Sequence, residues 1–177
     1  MDMVSTAVPD GAELGPVWSE KGRDQVAGIY VFHDANKVSS LQFLFYENDR
    51  IVKSKIHGHN TGTFSPVVFD YPAEFLTSIC GWHELARHDI FISRTYLRLA
   101  SIKFCTNRGS YGPYGCSDDY YDFYYNFNFT VERRLFGGFH GTMDRCVVDP
   151  LIESIGVYVK LPFPLKDVHI KDQKEED

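Results

Sequence analysis

SIGVYV, residues 154–159, places a serine ahead of a run that alternates between larger and smaller side chains. A period of two sets successive side chains on opposite faces of an extended strand. Two other segments begin the same way, Ser40-Leu-Gln-Phe and Ser101-Ile-Lys-Phe. Each of the three follows another strand-like run: VAGIYV at 26–31, LTSICG at 76–81 and LFGGFH at 135–140. One hairpin therefore occurs three times, with connecting loops of unequal length. A single hairpin cannot cover its own apolar face, whereas three such units around a pseudo-threefold axis cover one another's.

Working outward, the same alternation continues in AGIYVF (27–32), SLQFLFY (40–46), SIKFCT (101–106) and FNFTVE (127–132). The pattern predicts an all-β fold of ten or more strands, separated by turns such as GHNTG (58–62) and YGPYG (111–115). An aromatic content of 15%, mostly Tyr and Phe, favours strands as well. Only GWHELARHD, 81–89, reads as a helical turn. A chain of 177 residues suits one domain with one core. Residues 1–14 are small, polar and unpatterned, and 164–177 are mostly charged, so both are expected to be flexible tails around a domain at 15–163.

Several functions are set aside by composition and spacing. A net charge of −6 argues against a phosphate-tracking surface, so nucleic acid is not an expected partner. No run approaches the roughly 20 apolar residues of a membrane span, and the first residues lack a signal-peptide pattern. A cytoplasmic or nucleocytoplasmic location without membrane partners is expected. Cys80, Cys105, Cys116 and Cys146 form no CxxC pair and read as free thiols. Asn128-Phe-Thr130 fits a glycosylation pattern but lies within a predicted strand. His57-Gly58-His59 has no third ligand at a metal-binding spacing, and no nucleophile stands in a recognised arrangement with a base. Neither metal, cofactor nor enzymatic activity is expected.

Four ordered blocks carry a family likeness: FDYPAEFLTSICGW (69–82), LASIKFCTNRGSYGPYG (99–115), LFGGFHG (135–141) and LIESIGVYVK (151–160). Together with Gly15-Pro16, they resemble the jacalin-related lectins of the mannose type over residues 15–161. The resemblance implies a β-prism I of three four-stranded Greek-key sheets, a plant source, and hexose binding without chemistry. It also implies a sugar pocket between an opening glycine loop and a G-x-x-x-D loop just before the last strand. There an Asp carboxylate accepts hydrogen bonds from sugar hydroxyls, and backbone N–H groups donate to sugar oxygens. An aromatic from the second-repeat loop often lies against the ring.

Transferred to this chain, the Asp position holds Glu153 and the Gly position holds Asp149, followed by Pro150. Glutamate keeps the charge but moves it outward, Asp149 adds a second charge, and Pro150 lacks a donor N–H. The matching positions of the other repeats, Ala35 with Ser39 and Tyr96 with Ala100, offer no substitute. The expected carbohydrate site thus comprises Gly15, Asp149, Leu151, Ile152 and Glu153, with Trp82 as an aromatic platform. Mannose or glucose glycans are the expected ligands, because Gly15 lies inside an intact chain while the galactose branch relies on a cleaved N-terminal glycine. The competing expectation is a protein-recognition module using loops 17–23, 117–126 and 140–150. The Tyr- and Asp-rich run SDDYYDFYYNFNF, 117–129, suits either reading, or the sheltering of a sheet edge. The resemblance also implies a role in stress or defence, and the outer strand faces leave a homodimer open.

Overall fold

A computed structural model describes residues 2–4, 12–88, 94–117, 124–146 and 148–160. In chain order the strands are β1 (Asp2–Val4), β2 (Val17–Lys21), β3 (Val26–His33), β4 (Val38–Glu47), β5 (Arg50–Gly58), β6 (Thr63–Val68), β7 (Leu76–His88), β8 (Arg94–Thr106), β9 (Gly109–Gly115), β10 (Tyr124–Thr130), β11 (Phe136–Met143) and β12 (Ile152–Val159). They form three four-stranded antiparallel sheets, ordered β5-β4-β3-β6, β10-β7-β8-β9 and β1-β12-β11-β2. Each sheet is centred on one copy of the repeated hairpin. The three serines occupy the same rung, opposite Phe32, Trp82 and Thr142.

The core lies where the inner faces of the sheets meet. Ile29, Leu41, Phe43, Ile79, Ile102, Phe104, Phe139, Ile152 and Ile155 are fully enclosed there. Phe43 of the first sheet stacks on Phe139 of the third at 4.1 Å. Burying each such side chain contributes roughly 1.5–3 kcal/mol, so the shared core is what holds three marginal sheets together.

The prism has two poles. At one, the β11–β12 loop meets the segment before β2, where the Met143 N–H donates to the Pro16 carbonyl at 3.0 Å. The first repeat reaches the same pole, since the Gly58 N–H lies 3.1 Å from Met143 Sδ. The opposite pole gathers the β2–β3 and β4–β5 connections and residues 70–75, with Gly22 donating to the Gly137 carbonyl and Tyr46 to the Gln25 carbonyl.

Several expectations are corrected. Residues 81–88 belong to strand β7, with Glu84 ion-paired across the rung to Arg98 of β8, so the charges that suggested a helical surface face a neighbouring strand. Residues 111–115 lie within β9 rather than forming a turn. Residues 17–21 are β2, not a recognition loop, and 140–143 belong to β11. Within the presumed N-terminal tail, Asp2–Val4 pair with β12, whose outer edge would otherwise leave a row of unpaired backbone groups. Residues 164–177 and 118–123 lie outside the described residues.

Candidate functional site

Gly15 and Glu153, separated by 138 positions, meet at the first pole: the Gly15 N–H donates to Glu153 Oε2 at 2.9 Å. A Cβ on Gly15 would sit 1.7 Å from the Met143 carbonyl oxygen, so only glycine allows the two backbones to approach this closely. The facing loop is closed by the Asp144 N–H donating to the Leu151 carbonyl at 2.9 Å. Asp144 Oδ1 accepts the Cys146 N–H at 3.0 Å, and Arg145 donates to the Leu14 carbonyl at 3.3 Å.

Glu153 is only 2% exposed. Burial pushes its pKa above the ordinary glutamate value; the Gly15 N–H and the Thr142 hydroxyl pull it back, and nearby Asp144 raises it further against Arg145. Thr142 is itself fixed on the serine rung, with its N–H and Oγ1 at 3.0 and 2.8 Å from Ser154 Oγ. The pole thus presents a partly desolvated carboxylate between a glycine backbone and a hydroxyl. Such a group favours hydrogen-bond donors over cations in water, and has acceptor capacity beyond its two donors.

The other predicted residues are placed as follows. Ile152 faces the core opposite Met143, so it offers a ligand only backbone groups. The Leu151 carbonyl is already engaged by Asp144. Asp149 turns towards the first repeat, its Oδ1 lying 3.2 Å from His59 Nε2, with 61% of its side chain exposed. Trp82 lies on the second sheet, in register with Ser101 and Asn126, whereas Gly15 and Glu153 meet on the third. Its neighbour His83 is buried and stacked on Phe127 at 4.7 Å. Burial lowers the His83 pKa to about 4. His57 bonds Glu20 Oε1 at 2.9 Å and stacks on Trp18 at 4.2 Å, which explains that histidine without a metal.

In the sequence, Thr142, Asp144 and Arg145 enter only as part of the 140–150 loop, Pro16 only beside Gly15, and His59 only in a turn and a rejected metal pair; none is assigned there to the sugar site. Thr142 was within reach: aligning the three hairpins puts it opposite Ser154.

The Jacalin-like lectin domain model matches residues 8–158. The chain belongs to this family. Jacalin-related lectin 24 of Arabidopsis thaliana is 33% identical over 149 residues, a match covering 80% of this chain and 60% of that protein. The Protein RESTRICTED TEV MOVEMENT 1 of the same plant is 33% identical over 146 residues, covering 81% and 76%. Among solved structures, the artocarpin–mannopentose complex is similar at a TM-score of 0.69 with 22% identity, over 90% of this chain and 97% of that one. Frutapin, a lectin from Artocarpus incisa, gives 0.68 with 24% identity, over 91% and 99%. These likenesses show the β-prism I fold, and the family is one of carbohydrate-binding proteins rather than enzymes.

Proposed function

We propose that this jacalin-type domain binds mannose- or glucose-type glycans weakly at the Gly15–Glu153 pole. The observation that carries the reading is the 2.9 Å bond from the Gly15 N–H to the Glu153 carboxylate, which joins the opening glycine loop to the acid before the last strand. Mannose-binding structural neighbours support the sugar class. Low affinity follows from chemistry. Glu153 is shielded and serves two internal donors, and Pro150 has no N–H to offer. Each hydrogen bond missing from a polar ligand costs about 1–3 kcal/mol, enough to move a millimolar interaction towards the limit of detection. A role in plant stress or defence is the accompanying proposal, supported by the relative named for restricted TEV movement.

The test is an amide NMR titration with methyl α-mannoside and methyl α-glucoside to tens of millimolar. Shifts at Gly15, Asp144 and Leu151 are expected; silence throughout that pole would end the sugar reading.

A second reading has its own observation. Val148 is 79% exposed in the segment between Asp144 and Leu151 that precedes the shielded Glu153, an arrangement suited to a protein partner. Replacing Val148 by Ser should then abolish partner recovery in a pull-down while leaving any sugar response unchanged.

A further inference from the structure

The pole opposite Glu153 holds a second concavity, an open groove of about 760 Å³ between residues 19–25, the β4–β5 turn and Tyr71. One wall is aromatic: the Tyr46 and Tyr71 rings are 4.4 Å apart, tilted by 31°. The floor is a fixed polar array. Arg23 reaches Glu47 Oε1 at 2.6 Å through Nη1 and Glu20 Oε2 at 3.3 Å through Nη2, while its guanidinium carbon lies 4.9 Å from the centre of the Phe45 ring. Glu20 is held from behind by His57. Half-buried on an ion-paired, ring-backed platform, Arg23 has already given up much of the rotamer freedom that an arginine would otherwise lose on meeting a ligand.

The rim carries the turn residues Asn48 and Asp49, with φ of 49° and 60°. Glycine adopts that left-handed region at least cost, so this turn keeps an amide and a carboxylate where a bare backbone would be easier to fold. Beside them, the side-chain oxygen of Gln25 is shielded from solvent and has no hydrogen-bond partner among the described residues. An acceptor in that condition costs free energy until a donor reaches it.

Charge decides the ligand class. Three of the carboxylates lining the groove are already ion-paired: Glu20 and Glu47 with Arg23, and Asp24 with Lys160 at 2.5 Å. Glu20 and Glu47 share the one guanidinium, and with Asp49 and Lys21 also on the lining the groove keeps a single excess negative charge beside its amides, hydroxyls and two ring systems. Such a surface recognises neutral groups that both donate and accept, as vicinal hydroxyls do, and its size falls within the range of small-molecule clefts. We propose that this groove is a second carbohydrate-binding site, taking a neutral oligosaccharide at the pole opposite Gly15 and Glu153. Because the two sites face away from each other, one domain could bridge two glycan chains. The inference does not depend on the Gly15–Glu153 assignment.

The test uses amide NMR of the full chain titrated with mannotriose and, separately, maltotriose. At least one trisaccharide should shift Gly22, Asn48 and Asp49, with a saturation curve independent of Gly15 and Leu151. Tyr71→Ala should weaken that response about tenfold, the scale of one lost aromatic contact, without moving the response at Gly15. Asn48→Gly relaxes the turn and removes the rim amide, so a weakened response in this folded variant separates recognition from stability. Shifts confined to the Gly15 pole, or none at either pole with both trisaccharides, would overturn the proposal. So would shifts at Asn48 and Asp49 with trilysine but with neither sugar, since the groove would then be a cation site. A response at the groove with a silent Gly15 pole would sustain this site while removing the other.

Discussion

Two buried glutamates stand at opposite poles of the prism, and their surroundings push them in opposite directions. Glu74 receives the Asp70 N–H at 3.1 Å, the Thr106 hydroxyl at 2.8 Å and the Tyr111 hydroxyl at 2.9 Å. Burial alone would raise its pKa, but these donors and the charge of Arg108 outweigh it and hold the carboxyl below the ordinary value. At Glu153 burial wins. Depth and donor number both separate the two, Glu74 lying nearer the surface with three donors and Glu153 deeper with fewer. Glu74 is a pin that joins residues 70–74 to β8 and β9, whereas Glu153 is held by fewer internal donors at the pole proposed to bind sugar.

The largest break in that contrast comes from Glu74→Leu, which removes the shared acceptor of two hydroxyls and an amide. It should cost about 4 kcal/mol, summing one lost hydrogen bond after another, in urea unfolding. A loss under about 1 kcal/mol would remove the distinction between pin and site.

Next is pH. His83 is buried neutral with a folded pKa near 4 against an ordinary 6.5, so its contribution is fully present above 6.5 and is lost as pH falls towards 4, amounting to about 3 kcal/mol. Replacing His83 by Phe should flatten that fall and expose the glutamates beneath it. Glu74, with a lowered folded pKa, contributes stability present above the ordinary glutamate value and lost as pH drops through its folded value. Glu153 has the opposite sign: its contribution is present below the ordinary glutamate value and lost as pH rises through its raised folded value. In the His83→Phe background, Glu74→Gln should therefore lower stability at pH 7 while Glu153→Gln leaves it equal or higher. Stability curves from pH 3 to 8 that show the same sign for both would contradict the comparison.

A smaller effect is expected from Gly15→Ala. The added Cβ meets the Met143 carbonyl, so the 12–16 segment must shift, costing about 1–3 kcal/mol and the methyl α-mannoside response together. The smallest concerns Asp149→Gly, which should change stability by under about 0.5 kcal/mol at so exposed a position yet strengthen sugar binding a few-fold by removing the second charge. Unaltered titration curves would mean that the Asp149 carboxylate does not face the ligand.

Much of the fold was legible because the repeat is written in side-chain alternation. Ser40, Ser101 and Ser154 do lie on equivalent rungs, and VAGIYV, LTSICG and LFGGFH contribute to the partner strands. Residues 81–88 misled because Glu84 and His83 look like a helical surface until Arg98 is placed on the adjacent strand. Three residues at the start of the chain carry too little pattern to announce an edge strand, and only the open side of β12 gives Asp2–Val4 a place. In the site, the Gly15–Glu153 pairing followed from family likeness, but its enclosure did not. Alternation places Glu153 on the face opposite Ile152, and hence towards water, yet both are buried. The 12–16 segment covers the acid, and a register shift between Thr142 and Met143 accompanies it.

The sequence alone determined the threefold all-β plan, because period-two hydrophobicity and a recurring serine are local properties that each hairpin carries within itself. Tertiary structure alone decided which acids are held by more donors and which by fewer. The donors to Glu153 and Glu74 come from segments up to 138 positions away, and only packing brings a backbone N–H or a hydroxyl within 3 Å of a carboxylate.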